Sequence, residues 1–139
     1  MISLLTHPDG LRFENVYLYC KSLYQPKYKY LRELLTPLRE IGYYEYSEDA
    51  NIARPENIKP NSVIIFDDVS SCNQNIIRQY FSFGRHRNTD CFYLCQTYTA
   101  APKHNLKDNI NLLILFPQDN LNLKHIYDDH ISLDININL

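Results

Sequence analysis

A chain of 139 residues is the size of one domain and long enough to enclose a core. Hydrophobic residues at 45% and charged residues at 22% are ordinary globular values and exclude a disordered chain. A net charge of −2 gives no whole-chain pull toward nucleic acid, and no apolar run approaches the ~18 residues of a membrane span.

The opening Met1-Ile2-Ser3-Leu4-Leu5 is too short for a signal peptide and lacks its basic flank. Residues 1–8 read as the last turns of a helix, stopped at Pro8. Asp9-Gly10 is a turn. Phe13 to Cys20 is the first strand, with Tyr17 and Tyr19 on one face and Val16 and Leu18 on the other. A helix is expected from Lys27 to Ile41, apolar at Tyr30, Leu31, Leu34, Leu35, Leu38 and Ile41, with a kink or stop near Thr36 forced by Pro37. Gly42 is its expected breaker, Tyr43 to Tyr46 a short extended segment, and Asp49 to Asn61 a loop carrying Pro55 and Pro60.

The stretch Val63-Ile64-Ile65-Phe66-Asp67-Asp68-Val69 organises the rest. A continuous apolar run is the pattern of a strand buried on both faces of a parallel sheet. Its two terminal carboxylates fall at the edge where open α/β sheets bind ligands, and carboxylates there need a metal, a cation or water. One reading is a Walker B strand, in which one carboxylate holds Mg²⁺ through water and the next polarises the attacking water. The other is a loop whose Asp residues cap the following helix.

Asn73 to Phe83 is predicted helical, and Gly84-Arg85-His86-Arg87-Asn88 closes it as a basic turn. Cys91 to Thr97 is expected to be a buried strand ending in polar Gln96 and Thr97. A short helix is expected over Lys103 to Asn109, and a buried strand over Leu112 to Phe116, closed by Pro117. A last helix, Asn120 to His130, would pack through Leu121, Leu123, Ile126 and Tyr127. Ser132 to Leu139 alternates polar and apolar residues, as an edge strand or a tail. The alternation of strand and helix implies a parallel sheet with right-handed crossovers.

The run Val63 to Val69, with Phe81 to His130 and its Gln96-Thr97 strand end followed by a Pro, a Lys and an Asp-Asn, resembles the poxvirus-type DNA-packaging ATPases. These belong to the FtsK–HerA superfamily, with homologues in large DNA viruses and Maverick/Polinton elements. The resemblance covers nearly the whole chain and is densest from Val63 to His130. It implies a three-layer, RecA-like P-loop NTPase sheet, with residues 1–139 forming a single partial ATPase domain. It also implies Mg²⁺ and ATP as cofactors, and double-stranded DNA and a homo-oligomeric ring as partners. The setting would be intracellular, in host cytoplasm, viral factory or virion, with no membrane association. By resemblance Asp67 is the Mg²⁺ carboxylate acting through water, Asp68 activates water, Gln96 senses the γ-phosphate and Thr97 contacts the nucleotide. Arg85 or Arg87 would be an arginine finger, the alternative being a solvated basic turn.

The departure from the family is large. No G-x-x-x-x-G-K-[ST] occurs, the only glycines being Gly10, Gly42 and Gly84. By resemblance that loop lies upstream of a helix like Met1 to Leu5, and the family's first strand lies between the Cys91–Thr97 and Leu112–Phe116 strands. The expectation is therefore an ATPase portion truncated at its start, lacking the phosphate cradle and unable to bind ATP productively alone. The alternative is a non-catalytic α/β interaction module derived from such an ATPase.

Other groupings are weaker. Four cysteines in no framework spacing indicate a reduced chain, and Cys91 and Cys95 read as free thiols rather than zinc ligands. His125, Asp128, Asp129 and His130 read as a solvated helix end rather than a metal site. Arg78, Arg85, Arg87, Lys103, Lys107 and Lys124 would form either a DNA-facing patch or ordinary solvated surface.

Overall fold

The structure, a computed structural model, describes residues 1–47, 51–83, 87–101 and 109–130. Four parallel strands form its sheet: β1 (Asn15–Cys20), β2 (Gly42–Tyr46), β3 (Ser62–Asp67) and β4 (Thr89–Leu94), in the order β2-β1-β3-β4. Register is continuous, with Val16 opposite Val63, Leu18 opposite Ile65 and Cys20 opposite Asp67, while Ile64 faces Cys91 and Phe66 faces Tyr93. Every residue of β1 and of β3 is buried, which is why both read as near-continuous apolar runs.

The period-two pattern sorts side chains between two cores. On one face Val16, Leu18, Val63 and Ile65 pack with Leu5 of α1 (Ile2–Thr6) and with Tyr28, Leu31 and Leu35 of α2 (Pro26–Leu35). On the other, Tyr17, Tyr19, Ile64 and Phe66 pack with Ile77 and Tyr80 of α3 (Gln74–Phe83) and with Ile52 and Ile58. The result is three layers, helix–sheet–helix. Tyr17 stacks on Tyr44 and Tyr19 on Tyr46, each at 4.7 Å between ring centres, so a row of aromatic rings runs toward the β2 edge.

Local chemistry sets the helix ends. Pro26 starts α2, where its missing N–H costs nothing, and the helix stops at Leu35 before Pro37. The expected stop near Thr36 is therefore present, and 36–41 is not helical. Asn73 caps α3 by accepting the Asn75 N–H at 3.1 Å. Asp119 caps α4 (Asn120–His130), accepting the Asn122 N–H at 2.8 Å and its side-chain amide at 2.9 Å. Gly42 opens β2 rather than ending a helix. A side chain there would meet Asn15 Oδ1 at 2.5 Å, so its bareness lets β1 and β2 start in register.

Three further expectations fail. Leu112 to Phe116 is not a strand: it carries no sheet partner among the described residues and is exposed along its length. Apolar sequence alone does not make a strand without a neighbour to complete the ladder. The strand expected over Cys91 to Thr97 instead spans Thr89–Leu94, so Gln96 and Thr97 lie beyond it and are exposed. In α4, Asn122 and Ile126 are the buried residues, while Leu121 and Leu123 face solvent. The helix expected at Lys103 to Asn109 falls mostly, and the tail Ser132 to Leu139 wholly, outside the described residues. No helix among the described residues is long and apolar enough to cross a membrane.

Candidate functional site at the carboxyl edge of the sheet

From β1 the chain moves to β2 on one side, whereas β3 and β4 lie on the other, so the winding direction reverses between β1 and β3. Carboxyl ends of strands at such a reversal are where open α/β sheets place ligands. Cys20 ends β1 there and Asp67 ends β3, facing one another in register. The helix after β1 begins at the same edge, bringing Gln25, Lys27 and Tyr28 to it.

These residues converge on one atom. Asp67 Oδ2 accepts hydrogen bonds from Tyr28 Oη at 2.5 Å, Lys27 Nζ at 2.9 Å and Cys20 Sγ at 3.5 Å. Asp67 is buried, at 8% exposure, so its charge requires such partners. Lys27 supplies the compensating positive charge, and its ammonium also sits 4.7 Å from the centre of the Tyr28 ring. Burial, reinforced by the Asp67 carboxylate, pushes the Tyr28 phenol far above its usual range. Burial likewise raises the Cys20 thiol, which stays protonated as a donor to Asp67.

Asp68 has a different environment. It is exposed and holds a left-handed backbone at φ 55°, while its N–H donates to the Leu94 carbonyl at 3.1 Å. That conformation is costly for a residue with a side chain and turns the chain sharply away from β3. Asp67, Asp68 and Gln96 line one cavity, together with Gln25 and Lys27. Thr97 is not on that lining; it precedes a 3-10 turn (Tyr98–Ala100), its Oγ1 3.5 Å from Thr99 Oγ1. Arg87 stands at the opposite end of the sheet, before β4, and donates to the carbonyls of Pro55 at 3.3 Å and Glu56 at 2.6 Å. Arg85 lies outside the described residues, as do Lys103 and Lys107 of the basic group.

Asp67 carries three partners as arranged. Its Oδ2 is already bound by a phenol, an ammonium and a thiol, and no group of three His, Cys, Asp or Glu side chains among the described residues could hold a metal ion. The site as it stands is a neutralised carboxylate beside an exposed one, suited to accepting hydrogen bonds and cations.

Lys27, Tyr28 and Cys20 were not singled out by sequence reading. The signal was present: in a strand–helix unit the helix starts at the carboxyl edge, so the first turn of α2 had to lie beside Asp67. His130 and Asp129 also have a definite role, as Tyr98 Oη donates to Asp129 at 3.0 Å and sits 2.8 Å from His130 Nε2. They anchor α4 to the 3-10 turn after β4.

The chain is 44% identical over 57 residues to DNA packaging protein OPG160 of vaccinia virus (strain Copenhagen), covering 37% of this chain and 20% of that protein. It is 44% identical over 57 residues to DNA packaging protein OPG160 of monkeypox virus, covering 37% and 18%. The variola virus protein of the same name is 40% identical over 55 residues, covering 37% and 20%. The matched stretch thus spans about a fifth of these relatives. No family model and no solved structure matches the chain.

Proposed function

We propose that this chain is a portion of a viral-type DNA-packaging ATPase of the P-loop class, truncated relative to that family. It keeps the acidic strand β3 and the polar segment after β4 but is not ATP-competent by itself. The observation that carries this reading is the similarity to poxvirus DNA packaging proteins. The parallel sheet supports it, because β3 and β4 are adjacent and bring Asp67, Asp68 and Gln96 to one cavity. In this reading Asp67 and Asp68 are the Mg²⁺ and water-activating carboxylates of the complete enzyme, and Gln96 its sensor. In this reading Thr97 contacts the nucleotide. Arg85 or Arg87 would serve a neighbouring subunit of a ring on double-stranded DNA, in a viral factory or virion.

A second reading, a non-catalytic interaction module with the same ancestry, is favoured by Lys27. Its ammonium lies 2.9 Å from Asp67 Oδ2, so the carboxylate is neutralised within the chain. Calorimetry with magnesium-ATP, beside an Asp67→Asn, Asp68→Asn double variant, separates competence from inheritance. A folded chain that shows no binding is expected. Micromolar binding that the double variant loses would overturn the inactive-portion reading, since something else would then supply the phosphate cradle.

A further inference from the structure

We propose that Thr36 is a phosphorylation site for a proline-directed protein kinase that also selects a basic residue two positions after the proline. This stands independently of the packaging role.

The chain has seven prolines, and Thr36-Pro37 is the one place where a Ser or Thr precedes one. Leu38 and Arg39 follow, so the segment reads acceptor, proline, spacer, cation. Each position has a physical reason. Proline has no N–H to leave unpaired against the apolar wall of a kinase cleft, where any other residue would lose a hydrogen bond. A guanidinium two residues further on pairs with a carboxylate or phosphate of the enzyme.

The fold presents this segment. Thr36 is the C-cap of α2, its N–H donating to the Arg32 carbonyl at 2.9 Å, and residues 36–40 are all exposed. Among the described residues Thr36 Oγ1 has no hydrogen-bond partner and Arg39 makes no ion pair. Arg32 is committed elsewhere, donating to Glu45 Oε2 through Nη2 at 2.6 Å and Nε at 3.0 Å. Arg39 rather than Arg32 is therefore the cation available to an enzyme.

A kinase cleft takes its acceptor in extended backbone. Thr36 is helical at φ −59°, ψ −35°, and a following proline biases a residue toward the extended region. Opening the segment releases two backbone bonds, from Leu38 N–H to the Leu35 carbonyl and from Ile41 N–H to the Leu38 carbonyl, each 3.0 Å. It exposes no buried side chain, because Leu35, the last buried residue of α2, lies before it.

In the reaction Thr36 Oγ1 attacks the γ-phosphorus of the kinase's magnesium-ATP. The Oγ1–P bond forms as the bond from that phosphorus to the β,γ-bridging oxygen breaks. ADP departs, and the hydroxyl proton passes to the kinase's carboxylate base. The product sets a dianion at the carbonyl end of α2, three residues after Glu33, where negative charge is disfavoured. The last turn of α2 is loosened as a result.

The test treats the whole folded chain with a purified cyclin-dependent kinase and γ-labelled ATP, beside a peptide of residues 32–41. Stoichiometric incorporation is expected, mapped to Thr36 by fragmentation mass spectrometry. Thr36→Ala should abolish it and Thr36→Ser restore it, while Pro37→Ala and Arg39→Ala should each lower the rate about tenfold. Amide protection of β1 and β3 verifies that each variant is folded. In the phosphorylated chain the Thr36 amide should exchange about two- to fivefold faster, as an unfavourable charge at a helix end implies. Label that survives Thr36→Ala, or that ignores both Pro37→Ala and Arg39→Ala, would overturn the proposal. So would a labelled peptide beside an unlabelled folded chain, since the fold would then hide the acceptor. Absence of label from both would overturn it at the level of sequence recognition. A Thr36 amide unchanged by phosphorylation would overturn the loosening of α2.

Discussion

Tyr28 fixes the Asp67 carboxylate more tightly than the formal ion pair does, because its hydroxyl is buried and donates at 2.5 Å, whereas the Lys27 side chain is 42% exposed. Tyr28→Phe keeps the packing and removes the donor from a buried charge, and should cost about 2 kcal/mol in urea unfolding. Lys27→Met should cost less than that, and a larger loss than for Tyr28→Phe would show that the ion pair dominates. Asp68 gives the opposite sign. Its left-handed backbone is strained for any side chain, so Asp68→Gly should stabilise the fold by about 1 kcal/mol. A stabilised glycine variant would show that the side chain is kept at a cost in stability. The paired acids are legible from sequence because a buried run ending in charge has few explanations. Their inequality is not, since it depends on which of the two faces α2.

Among the elements, β3 and residues 112–116 are nearly interchangeable as sequences and opposite as structures. Ile64 is fully buried in β3, and Ile64→Ala should cost about 4 kcal/mol. Ile114 is exposed, and Ile114→Ala should change unfolding stability by less than about 0.5 kcal/mol. Sequence alone puts both in buried strands, because a short apolar run reports only that burial is favourable. A strand also requires a neighbour on its ladder, and β3 has β1 and β4 where 112–116 has none among the described residues. The same logic explains β2. Tyr43 to Tyr46 is brief as a sequence signal, yet parallel pairing with β1 makes it a full strand. The proline stop of α2, by contrast, is legible in advance because its determinant is local.

For the molecule as a whole, burial makes high pH the vulnerable side. The Cys91 thiol is pushed from 9.0 up to about 12, and the Tyr19 phenol from 10.0 to about 12, both chiefly by burial. Tyr28 and Tyr80 move in the same direction for the same main reason. Tyr80 shows it plainly, its buried hydroxyl donating to the Ala53 carbonyl at 2.6 Å while desolvation lifts its phenol. In each case the folded state favours the protonated form more than the unfolded chain does. The stability this gives is complete below the ordinary thiol and phenol values and is lost as pH rises through the raised ones. The urea midpoint should therefore be level from about pH 7 to about 8.5 and fall between about 9 and 12. A midpoint that stayed level to about pH 11 would mean that these groups are not buried in solution.

The sequence by itself determined the α/β class, the two central strands, the alternation of Tyr17 and Tyr19 against Val16 and Leu18, and the position of the acidic pair at a strand end. Those follow from periodicity and chain-local stereochemistry, which need no knowledge of neighbours. Only the tertiary structure decided that Asp67 is bound by Lys27, Tyr28 and Cys20, that Arg87 belongs to the far end of the sheet, and that Leu112 to Phe116 stands apart from β4. Each of these depends on which segments meet across long sequence separations. A hydrogen-bond ladder or a buried charge is satisfied by a partner in space, and the identity of that partner is a property of the assembled sheet.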